Sequence, residues 1–197
     1  QNMALNSFVT IEGGEIGRAQ AVQAEAAGIE PSIYMNPVLL KPQADAISQV
    51  IVLGKAARTM DASGYYEYSK SLLDVIADAF KKLRSEYEII VIEGAGSPAE
   101  INLKDKEIVN MRIARMAESP VLLIADIDRG GVFASIVGTM ELLSGEERDF
   151  IKGFIINKFR GDIELLKPGL EFLEERYHKP VLGVIPYIRD LNLAQED

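Results

Sequence analysis

At four places in this sequence a short apolar run is followed directly by a polar or rigid group. Glu93 follows Ile89–Ile92 and leads into Gly94-Ala95-Gly96; Asp126 follows Val121–Ala125 and opens Asp126-Ile127-Asp128-Arg129-Gly130-Gly131. Asn157-Lys158 follows Gly153–Ile156, and Pro186-Tyr187 follows Val181–Ile185. A carboxylate at Glu93 could hold Mg²⁺ directly or through water. Gly94 and Gly96 would let a phosphate or a substrate carboxylate approach the backbone. Equally, an acidic residue there could simply cap a turn. Asp126, Asp128 and Arg129 join two carboxylates to a guanidinium able to grip a carboxylate or phosphate with two hydrogen bonds. A helix starting behind Gly130 and Gly131 would add backbone donors and a favourable dipole. The bland alternative is an Asp–Arg ion pair capping that helix. Asn157 could read a base edge through its amide, and Pro186 could lie against a base face. Taken singly, a turn asparagine and a loop proline are the commoner explanation.

Positioning these groups requires strands that end at one edge. The four apolar runs have strand length and are rich in Ile, Val and Leu, which predicts strands buried on both faces. Helical stripes separate them: Val109, Ile113, Met116 and Ala117; Phe133, Ile136, Val137 and Met140; Ile163, Leu166, Leu170 and Leu173. Another stripe, Leu72, Ile76, Ala79, Phe80 and Leu83, precedes the first run. Strands alternating with helices predict right-handed βαβ units and an α/β fold, a parallel sheet with helices on both faces. Ligands bind at the carboxyl ends of strands in such sheets, so four polar strand ends together outweigh any one motif.

The first third is less regular. Residues 15–27 read as a helix rich in Ala, Gln and Glu. Residues 31–49, with Asn36-Pro37 and Lys41-Pro42, read as loop, and 61–68 as a loop leading into the long helix. The polar stretch 190–197 reads as the start of a linker. His178, the single histidine, reads as solvated, and Tyr65, Tyr66 and Tyr68 as a packing cluster.

The chain has 197 residues, enough for one domain with a sizeable core. Its net charge of −9 argues against nucleic-acid binding as the main task. It contains no cysteine, which excludes disulfides, thiolate metal sites and a cysteine nucleophile within these residues and suits a cytoplasmic protein. No apolar run is long enough to span a bilayer, so no membrane role is expected.

Longer motifs carry a resemblance. Residues 1–7, Gln-Asn-Met-Ala-Leu-Asn-Ser, with 13–20, Gly-Gly-Glu-Ile-Gly-Arg-Ala-Gln, closely resemble the cobyric acid synthase family, which hydrolyses glutamine. So do 35–42, 93–102, 125–133 and 157–162, so that the likeness covers essentially the whole chain. The resemblance implies a synthetase domain of the P-loop NTPase kind, similar to dethiobiotin synthetase. It also implies ATP-dependent amidation of carboxylates on adenosylcobyrinic acid a,c-diamide, with ATP and Mg²⁺ as cofactors and the corrinoid as substrate. By the same resemblance Glu15 and Glu93 look like Mg²⁺ ligands; Asn157, Pro186 and Tyr187 look like the adenine site; and Gly94 and Gly96 lie where phosphate would approach. Asp126, Asp128 and Arg129 would face phosphoryl transfer or the substrate. Asn2, Asn6, Ser7 and Lys41 are candidates for corrinoid contact.

Two parts of the family pattern fall outside these residues. The P-loop, G-x-x-x-x-G-K-[ST], is expected on a strand ahead of Gln1, so the fold is read as incomplete at its N-terminus. The protein's own glutaminase domain is expected after Asp197. Residues 1–197 are therefore read as a partial synthetase domain, expected to be inactive in isolation. The same superfamily offers cobyrinic acid a,c-diamide synthase and dethiobiotin synthetase as competing readings. A P-loop ATPase switch, which would need a dimer, and an idle binding module are further ones. A homodimer stays open for the synthetase as well.

Overall fold

The computed structural model describes residues 1–104 and 107–191. They form two compact units, one drawn from 1–97 with 107–113, the other from 98–104 with 114–191.

The first unit opens with β1 (Asn2–Met3), β2 (Ser7–Val9) and β3 (Glu15–Gly17), followed by α1 (Arg18–Ala26). A three-stranded antiparallel meander comes next: β4 (Val38–Ala44), β5 (Ile47–Val52) and β6 (Lys55–Asp61). β1 joins the meander beside β4, in parallel, and β2 pairs with β3 as a separate ribbon. Then follow α2 (Ala62–Ser69) and α3 (Leu73–Glu86). The core here is Ala4, Leu39 and Ile51, joined by Val38, Val50 and Ile16, all buried.

Several expectations for this region change. The helix begins at Arg18 rather than residue 15, because 15–17 is spent on pairing with β2. Residues 31–49 hold β4 and the first half of β5 where loop was expected. Pro42 is compatible with β4 because β1 reaches only as far as Leu40 in the pairing, so the missing N–H faces an unpaired edge. The β5–β6 turn is Leu53-Gly54, both at positive φ (45° and 77°), the geometry of a two-residue hairpin turn in a sequence without the usual Asn-Gly signal. Residues 62–69 are helical, with Asp61 capping: its side chain accepts from Gly64 N–H at 2.8 Å.

The expected strand at Ile89–Ile92 does not form. None of the described residues pairs with it, and Ile89 and Val91 are 81% and 92% exposed. Apolar β-branched residues alone do not make a strand; the backbone needs a ladder partner.

α4 (Asn110–Ala117) spans the boundary between the units. The second unit keeps the expected alternation: β7 (Val121–Asp126), α5 (Val132–Leu142), α6 (Gly145–Phe150), β8 (Ile151–Phe159), α7 (Ile163–Tyr177) and β9 (Val181–Pro186). The three strands are parallel in the order β7-β8-β9. Ile136 and Met140 of α5, Ile151, Phe154 and Ile156 of β8, and Leu173 of α7 form the core. The α/β reading therefore holds. Burial is on one face only for β7, whose Leu122 and Ile124 are 45% and 58% exposed. The linker expected at 190–197 lies mostly outside the described residues. No helix among the described residues is long and apolar enough to cross a membrane.

Candidate functional site

Some of the candidate residues gather into a cluster in each unit, and others take separate partners.

In the first unit, pairing of β2 with β3 sets Glu15 opposite Val9, which places Ser7 diagonally across from Glu15. Ser7 Oγ donates to Glu15 Oε1, and Lys41 Nζ from β4 donates to the same oxygen. Lys41 Nζ also reaches Ser7 Oγ at 3.3 Å. Glu15 is fixed through its backbone as well: its N–H donates to Gly54 O at 2.9 Å. A Cβ on Gly54 would come within 2.6 Å of Gly14 Cα and 2.9 Å of Glu15 N, so this approach of turn to strand requires glycine. Partial burial pulls the Glu15 pKa up, but the hydrogen bonds from Lys41 and Ser7 and the Lys41 charge outweigh it. The group is held below the usual carboxylate range.

Glu15, expected as a Mg²⁺ ligand, thus meets Ser7 and Lys41, two of the candidates for corrinoid contact. Asn2 and Asn6 serve other contacts. Asn2 Nδ2 donates to Gln20 Oε1 at 3.0 Å, while the Asn6 carbonyl accepts from Arg18 N–H at 3.3 Å. Glu93 Oε2 accepts from Gln23 Nε2 of α1 at 2.7 Å. The Gly94–Gly96 turn behind it is held by Asn110, whose Oδ1 accepts from Ala95 N–H at 3.0 Å and whose Nδ2 donates to Ala95 O at 2.8 Å.

In the second unit the strand ends come together. β7 and β8 are in register with Asp126 opposite Asn157. Lys158 Nζ pairs with Asp126 Oδ2 at 2.7 Å, and Arg160 Nε with Asp128 Oδ1 at 3.0 Å. The guanidinium carbon of Arg160 lies over the Tyr187 ring, 3.3 Å from its centroid. Tyr187 N–H donates to Phe159 O at 2.8 Å, tying β9 to the end of β8. Asn157 Oδ1 accepts from Lys158 N–H at 2.9 Å, and Asn157 O accepts from Ile127 N–H at 3.0 Å. The Asp126 carboxyl is held below its usual range, first by the Lys158 hydrogen bond, then by the Asp128 N–H and the charges of Lys158 and Arg129. Arg129 is exposed. In place of the Asp–Arg129 pair offered as the bland alternative, Asp126 and Asp128 pair with Lys158 and Arg160. Pro186 ends β9 immediately before Tyr187.

Lys158 was named only as part of a polar strand end, with no role, and Arg160, Gln23 and Asn110 were not singled out from the sequence. For Lys158 and Arg160 the signal was the polar strand end itself, since Lys158 follows Asn157 and Arg160 lies two further on, but their pairing with Asp126 and Asp128 depends on the register that sets Asp126 opposite Asn157. Gln23 and Asn110 carry no such pattern.

For a hard divalent cation, Glu15, Glu93 and Ser7 offer suitable oxygen donors. Among the described residues no three His, Cys, Asp or Glu side chains are grouped to hold a metal. Mg²⁺ is compatible with that, since it commonly uses one or two carboxylates with waters and phosphate oxygens.

A family model described as an AAA domain matches residues 13–195. Cobyric acid synthase from Dehalococcoides mccartyi strain CBDB1 is 66% identical over 197 residues, covering 100% of this chain and 39% of that protein. The cobyric acid synthase of Desulforamulus reducens is 62% identical over 198 residues, again 100% and 39%. That of Vibrio vulnificus strain YJ016 is 59% identical over 197 residues, 100% and 41%. The chain thus spans about 40% of the length of these relatives. No solved structure matches it.

Proposed function

The chain belongs to the AAA domain family, and from that premise we propose that residues 1–197 work as the ATP-using synthetase part of a cobyric acid synthase in cobalamin synthesis. The observation that carries this reading is the match along the whole chain to proteins of that name. The proposed reaction is amidation of corrinoid carboxylates, converting adenosylcobyrinic acid a,c-diamide to adenosylcobyric acid, in the cytoplasm. A substrate carboxylate oxygen attacks the γ-phosphorus of ATP, the bond to the β-phosphate oxygen breaks, and ADP leaves. Ammonia, released from glutamine by the protein's own glutaminase domain, then attacks the acyl carbon. Phosphate departs, and the nitrogen gives up a proton to form the amide.

The two clusters suit different parts of this task. Asn157, Pro186 and Tyr187 would receive the base, with Tyr187 giving its ring as a stacking surface. Lys158 and Arg160, now paired to Asp126 and Asp128, are cations that a phosphate or carboxylate could recruit, and Arg129 is a further one. Glu15 and Glu93 would hold Mg²⁺, which when bound neutralises phosphate charge. Lys41 stands at Glu15 Oε1 in a place that a bound cation would contest. Asn2 and Asn6 stay candidates for corrinoid contact, and Gly94 and Gly96 for phosphate approach.

The test is ADP release by the full-length protein given Mg-ATP, glutamine and the corrinoid diamide, alongside Glu93→Gln. Corrinoid-dependent release that collapses in the variant is the expected result. Release indifferent to the corrinoid would overturn the substrate assignment.

A further inference from the structure

We propose that Asn110 is the positioning residue of the Glu93 site, a clamp that holds the glycine turn so that the carboxylate is presented in one place. This rests on the Mg²⁺ reading of Glu93 above.

A capping asparagine sits one position before the first helical residue and turns its side chain onto that helix's own first N–H groups. Asn110, the first residue of α4, instead reaches back 15 residues and spends both halves of its amide on Ala95, accepting from the N–H at 3.0 Å and donating to the carbonyl at 2.8 Å. Two hydrogen bonds to one backbone residue constrain position and rotation together. The turn needs such a constraint, because Ile89–Ile92 ahead of it forms no strand ladder and residues 93–97 lie in neither helix nor strand.

Gly94 belongs to the same device. A Cβ there would sit 2.3 Å from Asn110 Oδ1, so any side chain would push the amide out of its place. The glycine is explained by the room the clamp needs, in addition to any phosphate that approaches.

The two side chains that steady this segment differ in what they touch. Gln23 donates to the Glu93 carboxylate itself at 2.7 Å, and competes with whatever that carboxylate binds. The two Asn110 side-chain hydrogen bonds go to the backbone of Ala95. Asn110 can stay in place while Glu93 changes partner, which is the property a positioning residue requires.

The experiment uses the full-length protein with Asn110→Ala, Asn110→Asp, Gly94→Ala, the Gly94→Ala/Asn110→Ala double variant, and Glu93→Gln as reference. Amide exchange at Ala95, in protein free of nucleotide and metal, should quicken at least tenfold in Asn110→Ala and in Gly94→Ala. Asn110→Asp, which keeps the acceptor and loses the donor, should fall between. The Mg²⁺ concentration giving half-maximal ATP turnover should rise about tenfold in each single alanine variant. The double variant should be no worse than the worse single one, since both remove the same contact. Unchanged Ala95 exchange, additive effects in the double variant, or a lowered Tm without a changed Mg²⁺ requirement would each overturn the proposal. If Glu93→Gln itself leaves the Mg²⁺ requirement unaltered, the metal reading fails and the functional half of the proposal with it. The exchange result would then report on the clamp alone.

Discussion

Arg160 stacks on Tyr187 while bonding Asp128: its guanidinium carbon is 3.3 Å from the ring centroid and its Nε 3.0 Å from the carboxylate. One side chain therefore links the ends of β7, β8 and β9. A planar cation on an aromatic face is a favourable contact, and it covers the surface that a base would use. Tyr187→Ala should weaken ATP binding roughly tenfold, within the ~1–3 kcal/mol expected for base–aromatic stacking. Arg160→Lys keeps the charge opposite Asp128 but cannot stack as a plane, and should alter ATP affinity less than Tyr187→Ala does. Equilibrium dialysis with labelled ATP on the full-length protein measures both. Unchanged affinity in Tyr187→Ala would remove Tyr187 from the base site.

The Glu15 carboxylate has its pKa lowered by folding, so its contribution to stability is complete above the unfolded value, about 4.3, and is lost as pH falls through the lower folded value. In Lys41→Met the strongest stabilising partner is gone and partial burial remains. The folded pKa of Glu15 should rise toward its unfolded value, so Lys41→Met should be less stable near neutral pH and should lose less stability than the parent as pH falls. Urea midpoints between about pH 3 and pH 6 test this. Superimposable pH profiles would show that the Lys41 contact does not matter energetically.

Glu147 is only 4% exposed and is surrounded by cations and a cap. Lys104 Nζ lies 2.5 Å from Oε2 and Arg115 Nη2 3.3 Å from Oε1, while Ser144 N–H donates to Oε2 in a capping box at the start of α6. Glu147→Ala removes the half of the capping box that accepts from Ser144 N–H and takes a buried partner from Lys104 and Arg115, although Arg115 keeps Glu146 at 3.5 Å. The expected loss is about 2–3 kcal/mol, below the 3–5 of a fully buried pair because Lys104 and Arg115 stay partly reachable by water. Denaturant unfolding monitored by circular dichroism would report it, and a loss under about 0.5 kcal/mol would contradict the burial argument.

Gly169 lies inside α7 where a helix gains from alanine by about 1 kcal/mol. Here a Cβ would meet the Phe133 ring at 2.2 Å. Gly169→Ala should therefore destabilise, by about 1–3 kcal/mol from overpacking against the propensity gain. Adding Phe133→Leu, which shortens the opposing side chain, should recover part of the loss. Thermal melts of the three variants decide it; a stabilised Gly169→Ala would mean that the ring moves aside freely.

The second unit was largely legible in advance because its signals are local. Runs of Ile, Val and Leu at strand length, separated by helical stripes, follow from burial and backbone period alone. β7 and β9 end at Asp126 and Pro186 as expected, whereas β8 runs on to Phe159, so that Asn157 lies inside the strand. The first unit was less legible. Asn36-Pro37 ahead of β4 and Lys41-Pro42 within it pointed to loop, and pairing of β4 with β1 and β5 overrode them. Ile89–Ile92 shows the opposite case, a strong local signal with no partner strand among the described residues.

By itself the sequence determined the α/β alternation, the polar groups that follow the strands, and the family to which the chain belongs. Tertiary structure alone decided the partners: Lys41 for Glu15 across 26 residues, Asn110 for Ala95 across 15, and Arg160 rather than Arg129 for Asp128. The physical reason is range. Periodicity records how a residue meets its near neighbours and the core, whereas a carboxylate in a chain with 21 Lys and Arg has many chemically equivalent partners. Only the distances set by strand register and by the turns choose among them.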